Sequence, residues 1–425
     1  MRSSIVDRSE ATQADRELTH EDKLDRLADV AVNVGLGLGI GQQLVMTASL
    51  EALPLVRKIT EHAYHAGAAL VTTLFTDEES TLLRFRYAAD ETFDRAADWL
   101  QNGIAEAFRS GAARLAITGA DPALLAKEDP NKVARANVAY SKANRAALEL
   151  ITRHEINWTI VPCATAAWAR TVFPQDAVEL AMERLWDAIF STTRVDAPDP
   201  VSAWRIHDAQ LQRRADLLNE KRFAALRFHG PGTDLTVGLA EDHQWLGGGM
   251  IAGNGRPCIP NMPTEEVFTT PHKDRVDGFV TSTKPLSHQG TLIENISVKF
   301  EKGRVTEASA RQGETVLRRL IETDEGARRL GEVALVPHSS PIAKSGLLFW
   351  NTLFDENAAS HIALGQAYST CIRGGDELDP EQLASKGANE SLIHVDWMIG
   401  SGEISVEGVR ADRTSEPLMR SGEWV

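Results

Sequence analysis

The sequence predicts an α/β N-terminal domain with a mostly parallel sheet, residues 1–220, followed by an α+β C-terminal domain carrying a metal site, residues 221–425. Three observations lead there. Up to about residue 220, short apolar runs alternate with long stretches of helical spacing, and strands separated by helices need the crossovers that build a parallel sheet. From Phe223 onward, strands succeed one another across tight turns. Finally, carboxylates, histidines and a tyrosine gather in four largely apolar segments of the second part.

In the first part, helical spacing covers 23–34, and Gly35, Gly37, Gly39 and Gly41 break it. These glycines lack the third position of the dinucleotide-binding fingerprint and precede a strand, so they read as a helix stop and turn. Strands are expected at 44–48, 69–75, 114–118 and 158–163, with helices over 51–66, 92–110 and 131–154. In the second part, runs at 223–228 and 234–239 flank the turn signal His-Gly-Pro-Gly-Thr, and 294–300 with 305–312 read as a hairpin around Glu-Lys-Gly-Arg. Further strands are expected at 332–336 and 392–399, and helices over 314–323 and 356–368.

Composition narrows the function. The 425 residues allow two or three cores. Forty-five Lys+Arg against 60 Asp+Glu give a net charge of −15, which argues against a nucleic-acid partner. The most apolar early stretch, 30–56, is interrupted by Gln42, Gln43 and Glu51, so no membrane span is expected. The first 23 residues are polar and mixed in charge, which suits a solvated arm rather than a signal or transit peptide. Cys163, Cys258 and Cys371 are odd in number and widely spaced, unlike a disulfide framework or a cysteine zinc site. A cytoplasmic protein fits best.

The chemistry-bearing segments come next. Glu265 and Glu266 adjoin in a proline-flanked apolar stretch; buried together they would repel unless a cation intervened, with one free to ligate and its neighbour to handle protons. Read alone, the dipeptide favours a solvated pair on a loop. Glu332 opens an apolar strand, as a rim residue or one held by a partner. Glu356, His361 and Tyr368 fall in one expected helix, where His361 and Tyr368, seven apart, would share a face, and Glu356 would converge only from the entering turn. His394 and Asp396, two apart on a strand, project to one side, as metal ligands or as a simple hydrogen-bonded pair. Oxygen and imidazole donors without cysteine suit Zn, Co, Mn or Mg. Six such ligands exceed one catalytic zinc and suit two divalent metal ions sharing a carboxylate.

The segments Pro-Thr-Glu-Glu-Val-Phe-Thr-Thr-Pro, Asp-Glu-Asn-Ala-x-x-His-Ile-Ala-Leu-Gly-x-Ala-Tyr and Ile-His-x-Asp-x-Met-Ile-Gly-Ser resemble the bacterial metallo-aminopeptidase family that includes aminopeptidases T, S and II. The resemblance covers most of the chain. It implies a dinuclear site in the C-terminal domain, a cytoplasmic homodimer and peptide substrates. By position it makes Glu266 a terminal ligand, Glu332 the bridge, Glu356 and His361 ligands of one metal, and His394 and Asp396 ligands beside the other. Tyr368 matches the active-site tyrosine, and Glu265 is expected as general base by analogy with other two-metal peptidases. Trp397, where Phe is expected, and His272, where an acid is expected, depart from the pattern beside the site. A related alternative is a ring-opening dioxygenase of dihydroxypyridine type on the same scaffold, with one iron on His361, His394 and Asp396. A non-catalytic scaffold is a third reading, which the intact constellation disfavours.

Overall fold

A computed structural model describes residues 18–288 and 291–425; the N-terminal arm expected from the sequence lies outside them up to residue 17. The first helix, His20–Val30, starts earlier than its apolar spacing suggests because Thr19 and Asp22 form a capping box. A wider turn over Ala31–Leu36 follows and stops at Gly37, φ 56°, where a side chain would come within 1.9 Å of the Pro257 carbonyl oxygen. The glycine run is therefore a helix stop, as its spacing indicates.

Four strands form the first sheet in the order Leu70–Thr76, Gln43–Ser49, Ala113–Thr118, Trp158–Pro162, and every pairing is parallel. The intervening helices include Leu53–His65, Asp98–Arg109 and Pro130–Thr152; the helix expected from residue 92 begins at Asp98, after a short 3-10 turn over Asp90–Asp94. Pro130 sits in the first turn behind the Asp129 cap, where its missing N–H costs nothing.

Beyond the helix Pro200–Lys221 the chain forms an eight-stranded sheet and a five-stranded one. The smaller sheet runs His394–Met398, His361–Gly365, Leu330–Leu335, Val267–Thr269, Leu246–Gly247, and all neighbours are antiparallel. The expected helix over 356–368 does not form. A short helix, Thr352–Asp355, and a 3-10 turn, Glu356–Ala358, lead instead into the buried strand His361–Gly365. His361 and Tyr368 consequently share no helix face.

Two large cores result. One gathers residues from Leu24 to Trp204 but also takes Ile259, Met262, Phe349 and Phe354 from later in the chain. The other runs from Leu211 to Met419. The helix Pro200–Lys221 spans both, with Trp204 in the first and Leu211, Ala215 and Leu218 in the second. No helix among the described residues is long and apolar enough to cross a membrane, and all three cysteines are free and buried.

Candidate metal centre

The smaller sheet sets the site through its register. Glu332 pairs with Ala363, and Ala363 with Asp396; Ala334 pairs with His361, and Gly365 with His394. Directly paired residues share a face, and so do residues two apart along a strand. Glu332, His361, His394 and Asp396 therefore project from one face, with small Ala334, Ala363 and Gly365 between them leaving room above the sheet. Phe268, paired with Ala334, lies on the same face, and Glu266, two residues before it, continues that face into the preceding loop.

The side chains converge accordingly. His361 Nε2 lies 3.1 Å from Glu266 Oε2 and 3.5 Å from Glu332 Oε1. His394 Nε2 lies 3.4 Å from Glu332 Oε2 and 3.5 Å from Asp396 Oδ1. Two groups that could hold a metal ion result, Glu266–Glu332–His361 and Glu332–His394–Asp396, with Glu332 common to both and one of its oxygens turned to each imidazole.

The imidazoles are oriented for ligation. His361 Nδ1 donates to the Ala359 carbonyl at 3.1 Å, and His394 Nδ1 donates to the Gln366 carbonyl at 2.7 Å. A carbonyl only accepts, so each Nδ1 carries hydrogen and each Nε2 is left facing the carboxylates, where a cation could take the place of its proton. Gly365 makes this possible for His394. Its φ of 110° turns the chain, and a Cβ would stand 2.0 Å from the Ile393 carbonyl oxygen.

The electrostatics show a demand for positive charge. Burial, then repulsion from Glu266 and Asp396, pushes Glu356 well above the usual carboxylate range. Burial also raises Glu266 against the pull of His361. For Glu332 burial acts upward too, but His361 and His394 together carry it down to about 2. Burial would lower His394, yet Asp396 and Glu332 lift it to about 11, and Glu266 and Glu332 raise His361 in the same way. Glu266 Oε2 and Asp396 Oδ1 are moreover buried and, apart from these facing imidazole nitrogens, have no hydrogen-bond partner among the described residues. Buried oxygens left over beside two oriented imidazoles fit divalent cations, which replace protons on such ligands.

Tyr368 packs its ring 4.7 Å from that of His394 and 6.2 Å from that of Phe268. It is 43% exposed, but desolvation of the phenol and the nearby Glu332 and Asp396 push its pKa well up, so the hydroxyl keeps its proton. Glu265 is not brought into the cluster. Its carboxyl lies 2.8 Å from Arg194 Nη2 and 3.6 Å from His207 Nε2, and burial, opposed by Arg194, raises it to about 7. Adjacent residues diverge in extended chain, so Glu266 faces the ligands while its neighbour faces Arg194.

Arg194 and His207 escape the sequence reading because no motif marks them, and Asn357, although it stands in the Asp-Glu-Asn-Ala segment, is given no role there. Asn357 is fully buried; its Oδ1 accepts from the Glu265 N–H at 2.7 Å and its Nδ2 lies 3.4 Å from Glu356 Oε1, joining the two glutamate segments. The glycine-rich stretch 247–253 is tied down at its start: Asp208 accepts from the Gly249 N–H at 2.6 Å and Gln212 donates to the Gly247 carbonyl at 2.6 Å. Trp397 does not lie beside the ligands as expected, since alternation turns it into the second core. His272 packs against Gly387 and accepts from the Asp274 N–H.

The chain matches the family described as thermophilic metalloprotease (M29) over residues 20–424. It is 53% identical over 402 residues to aminopeptidase T of Thermus thermophilus, covering 95% of this chain and 98% of that protein. It is 45% identical over 404 residues to aminopeptidase 2 of Geobacillus stearothermophilus, with the same coverage of 95% and 98%. Among solved structures, wild-type AmpT from Thermus thermophilus superposes with a TM-score of 0.91 at 52% identity, over 96% of this chain and all of that one. A 2,5-dihydroxypyridine dioxygenase from Pseudomonas putida KT2440 reaches a TM-score of 0.53 at 11% identity over 96% of this chain and 98% of its own, a likeness of fold alone.

Proposed function

This chain belongs to the thermophilic metalloprotease (M29) family, and on that premise we propose that it is an aminopeptidase whose Glu332 joins two divalent cation sites. The observation that carries the proposal is the placement of the two Glu332 oxygens, one toward His361 and one toward His394. Glu266, Glu356 and His361 would complete one site, and His394 with Asp396 the other. Zn, Co, Mn or Mg held there would supply Lewis acidity and a water of lowered pKa.

The remaining roles fall to the chain itself. The carboxylate-rich centre attracts the free α-amine of a peptide, which restricts cleavage to the N-terminal residue. The Tyr368 hydroxyl, protonated throughout the neutral range, donates to the oxygen on which charge develops as the peptide carbonyl is attacked. The Ala359 and Gln366 carbonyls hold the imidazoles in place. Glu265 has the proton affinity of a base at neutral pH, but its carboxyl is engaged by Arg194. We assign it the fixing of the backbone that enters Glu266. The family resemblance extends the proposal to a cytoplasmic homodimer. The dioxygenase alternative rests on likeness of fold alone and leaves Glu266, Glu332 and Glu356 without a role.

Metal content with turnover of an amino-acyl arylamide tests the proposal. About two divalent ions per chain are expected, both lost in Glu332→Ala, with turnover abolished by chelation and restored by added metal. One ion per chain that survives Glu332→Ala, or turnover indifferent to chelation, overturns it.

A further inference from the structure

A polar cavity of about 290 Å³ lies on the Arg194 side of Glu265, between the helix Pro200–Lys221, the 337–341 loop and the C-terminal strand Glu423–Trp424. That volume is at the small end of ligand pockets, which run from roughly 300 to 1,000 Å³. Its charges are distributed unusually. Arg214 stacks over the Trp424 ring at 4.6 Å and makes no hydrogen bond or ion pair among the described residues. Glu423 faces the same cavity, and Ser339 Oγ donates to its Oε2 at 2.8 Å, but no cation among the described residues lies within ion-pair distance of it. The two opposite charges thus share one cavity without meeting. Deeper in, Glu265 is already held by Arg194, whose Nη2 lies 2.8 Å from Oε1 and donates to Oε2 at 3.0 Å. Leu211, Pro337, Pro341 and Trp424 supply the smaller, apolar part of its lining.

We propose that this cavity binds a free α-amino acid with an apolar side chain, its carboxylate on Arg214, its ammonium on Glu423 and its side chain against the apolar wall. A zwitterion bridges two separated charges that neither a simple anion nor a simple cation satisfies together. The guanidinium fork, already fixed on an aromatic face, is pre-organised for a carboxylate. Binding follows from the cavity alone. That the ligand is also the product of the reaction rests on the function proposed above.

The test titrates the metal-loaded, full-length protein with L-leucine by calorimetry and soaks crystals with it. Leucine density is expected between Arg214 and Glu423. Arg214→Met is expected to weaken that binding by roughly tenfold or more, the loss typical of a charge-assisted contact. Leucinamide and N-acetyl-leucine, each missing one charge, should bind the wild type comparably more weakly than leucine. Glu423→Gln gives an independent arm, weakening leucine but not N-acetyl-leucine. Leucine found only at the metal centre, affinity unchanged in both variants, or N-acetyl-leucine binding as tightly as leucine overturns the proposal. Because the heat reports binding and not turnover, failure of the aminopeptidase reading would leave this result legible.

Discussion

Tyr368 and Glu265 show how far single residues can be read. Tyr368 touches His394 and keeps its proton, because desolvation and the surrounding carboxylates oppose phenolate formation. Removing only the hydroxyl should leave the ligands in place and remove a donor to the developing oxyanion. Tyr368→Phe is expected to retain its metal and lose about 10²-fold in kcat, at the lower end of the effect of such donors. Full turnover in this variant would end the role. Glu265 is the contrasting case. The adjacent glutamates were visible in the sequence, but a dipeptide does not say which carboxyl faces the ligands, and Arg194, which engages Glu265, lies 71 residues away. With that carboxyl held by Arg194, Glu265→Gln should lower kcat by less than about tenfold; a loss of 10²–10⁴-fold, typical of a removed general base, would restore the role the sequence suggested.

The site depends on four strand segments, and their legibility followed their burial. His394 and Asp396 were placed on one strand face by period-two spacing, and the register confirms that arrangement. The segment 356–368 was read as helix because Ile362 to Leu364 is an unbroken apolar run in a strand buried at every position, with no alternation to mark it. A central strand covered on both faces loses the period-two signal, so an Ala- and Leu-rich run is ambiguous. Gly365 carries the strand past Ile393 to the Gln366 carbonyl that orients His394. A side chain there must displace backbone, at a cost of about 1–3 kcal/mol for strain in such a position. Gly365→Ala should therefore lower unfolding free energy by about that amount in denaturant melts. It should also weaken metal affinity 10–100-fold, as loss of a ligand's orienting partner does. Normal metal affinity in a destabilised variant would confine Gly365 to folding.

Over the whole molecule, the change in pattern near residue 220 falls at the end of a helix that enters both cores, while the first core draws Phe349 and Phe354 from far downstream. Hydrophobic periodicity locates such elements but not which distant side chains complete a core. His207 sits on this shared helix between Trp204 and Leu211 and joins it to the loop that leads to Glu266, with Nε2 bonded to the Thr264 carbonyl at 2.8 Å. Burial, reinforced by Arg194, lowers its pKa from 6.5 to about 3. A histidine depressed in the folded state stays neutral there while the unfolded chain takes up a proton, so the unfolded state gains below pH 6.5. The stability this neutral ring contributes is fully present above pH 6.5 and is lost progressively as pH falls toward 3. At about pH 5.5, one unit below the unfolded value, the loss is about 1.4 kcal/mol. Asn in its place keeps an N–H donor for the Thr264 carbonyl and does not titrate, and Glu265 and the metal ligands are common to both proteins. The stability difference between wild type and His207→Asn, measured by denaturant unfolding at saturating metal, should thus shift by up to that amount in favour of the variant between about pH 8 and pH 5.5. A difference that stays constant across this range would mean that His207 takes up its proton in the folded protein, and that the joint between the two cores admits water.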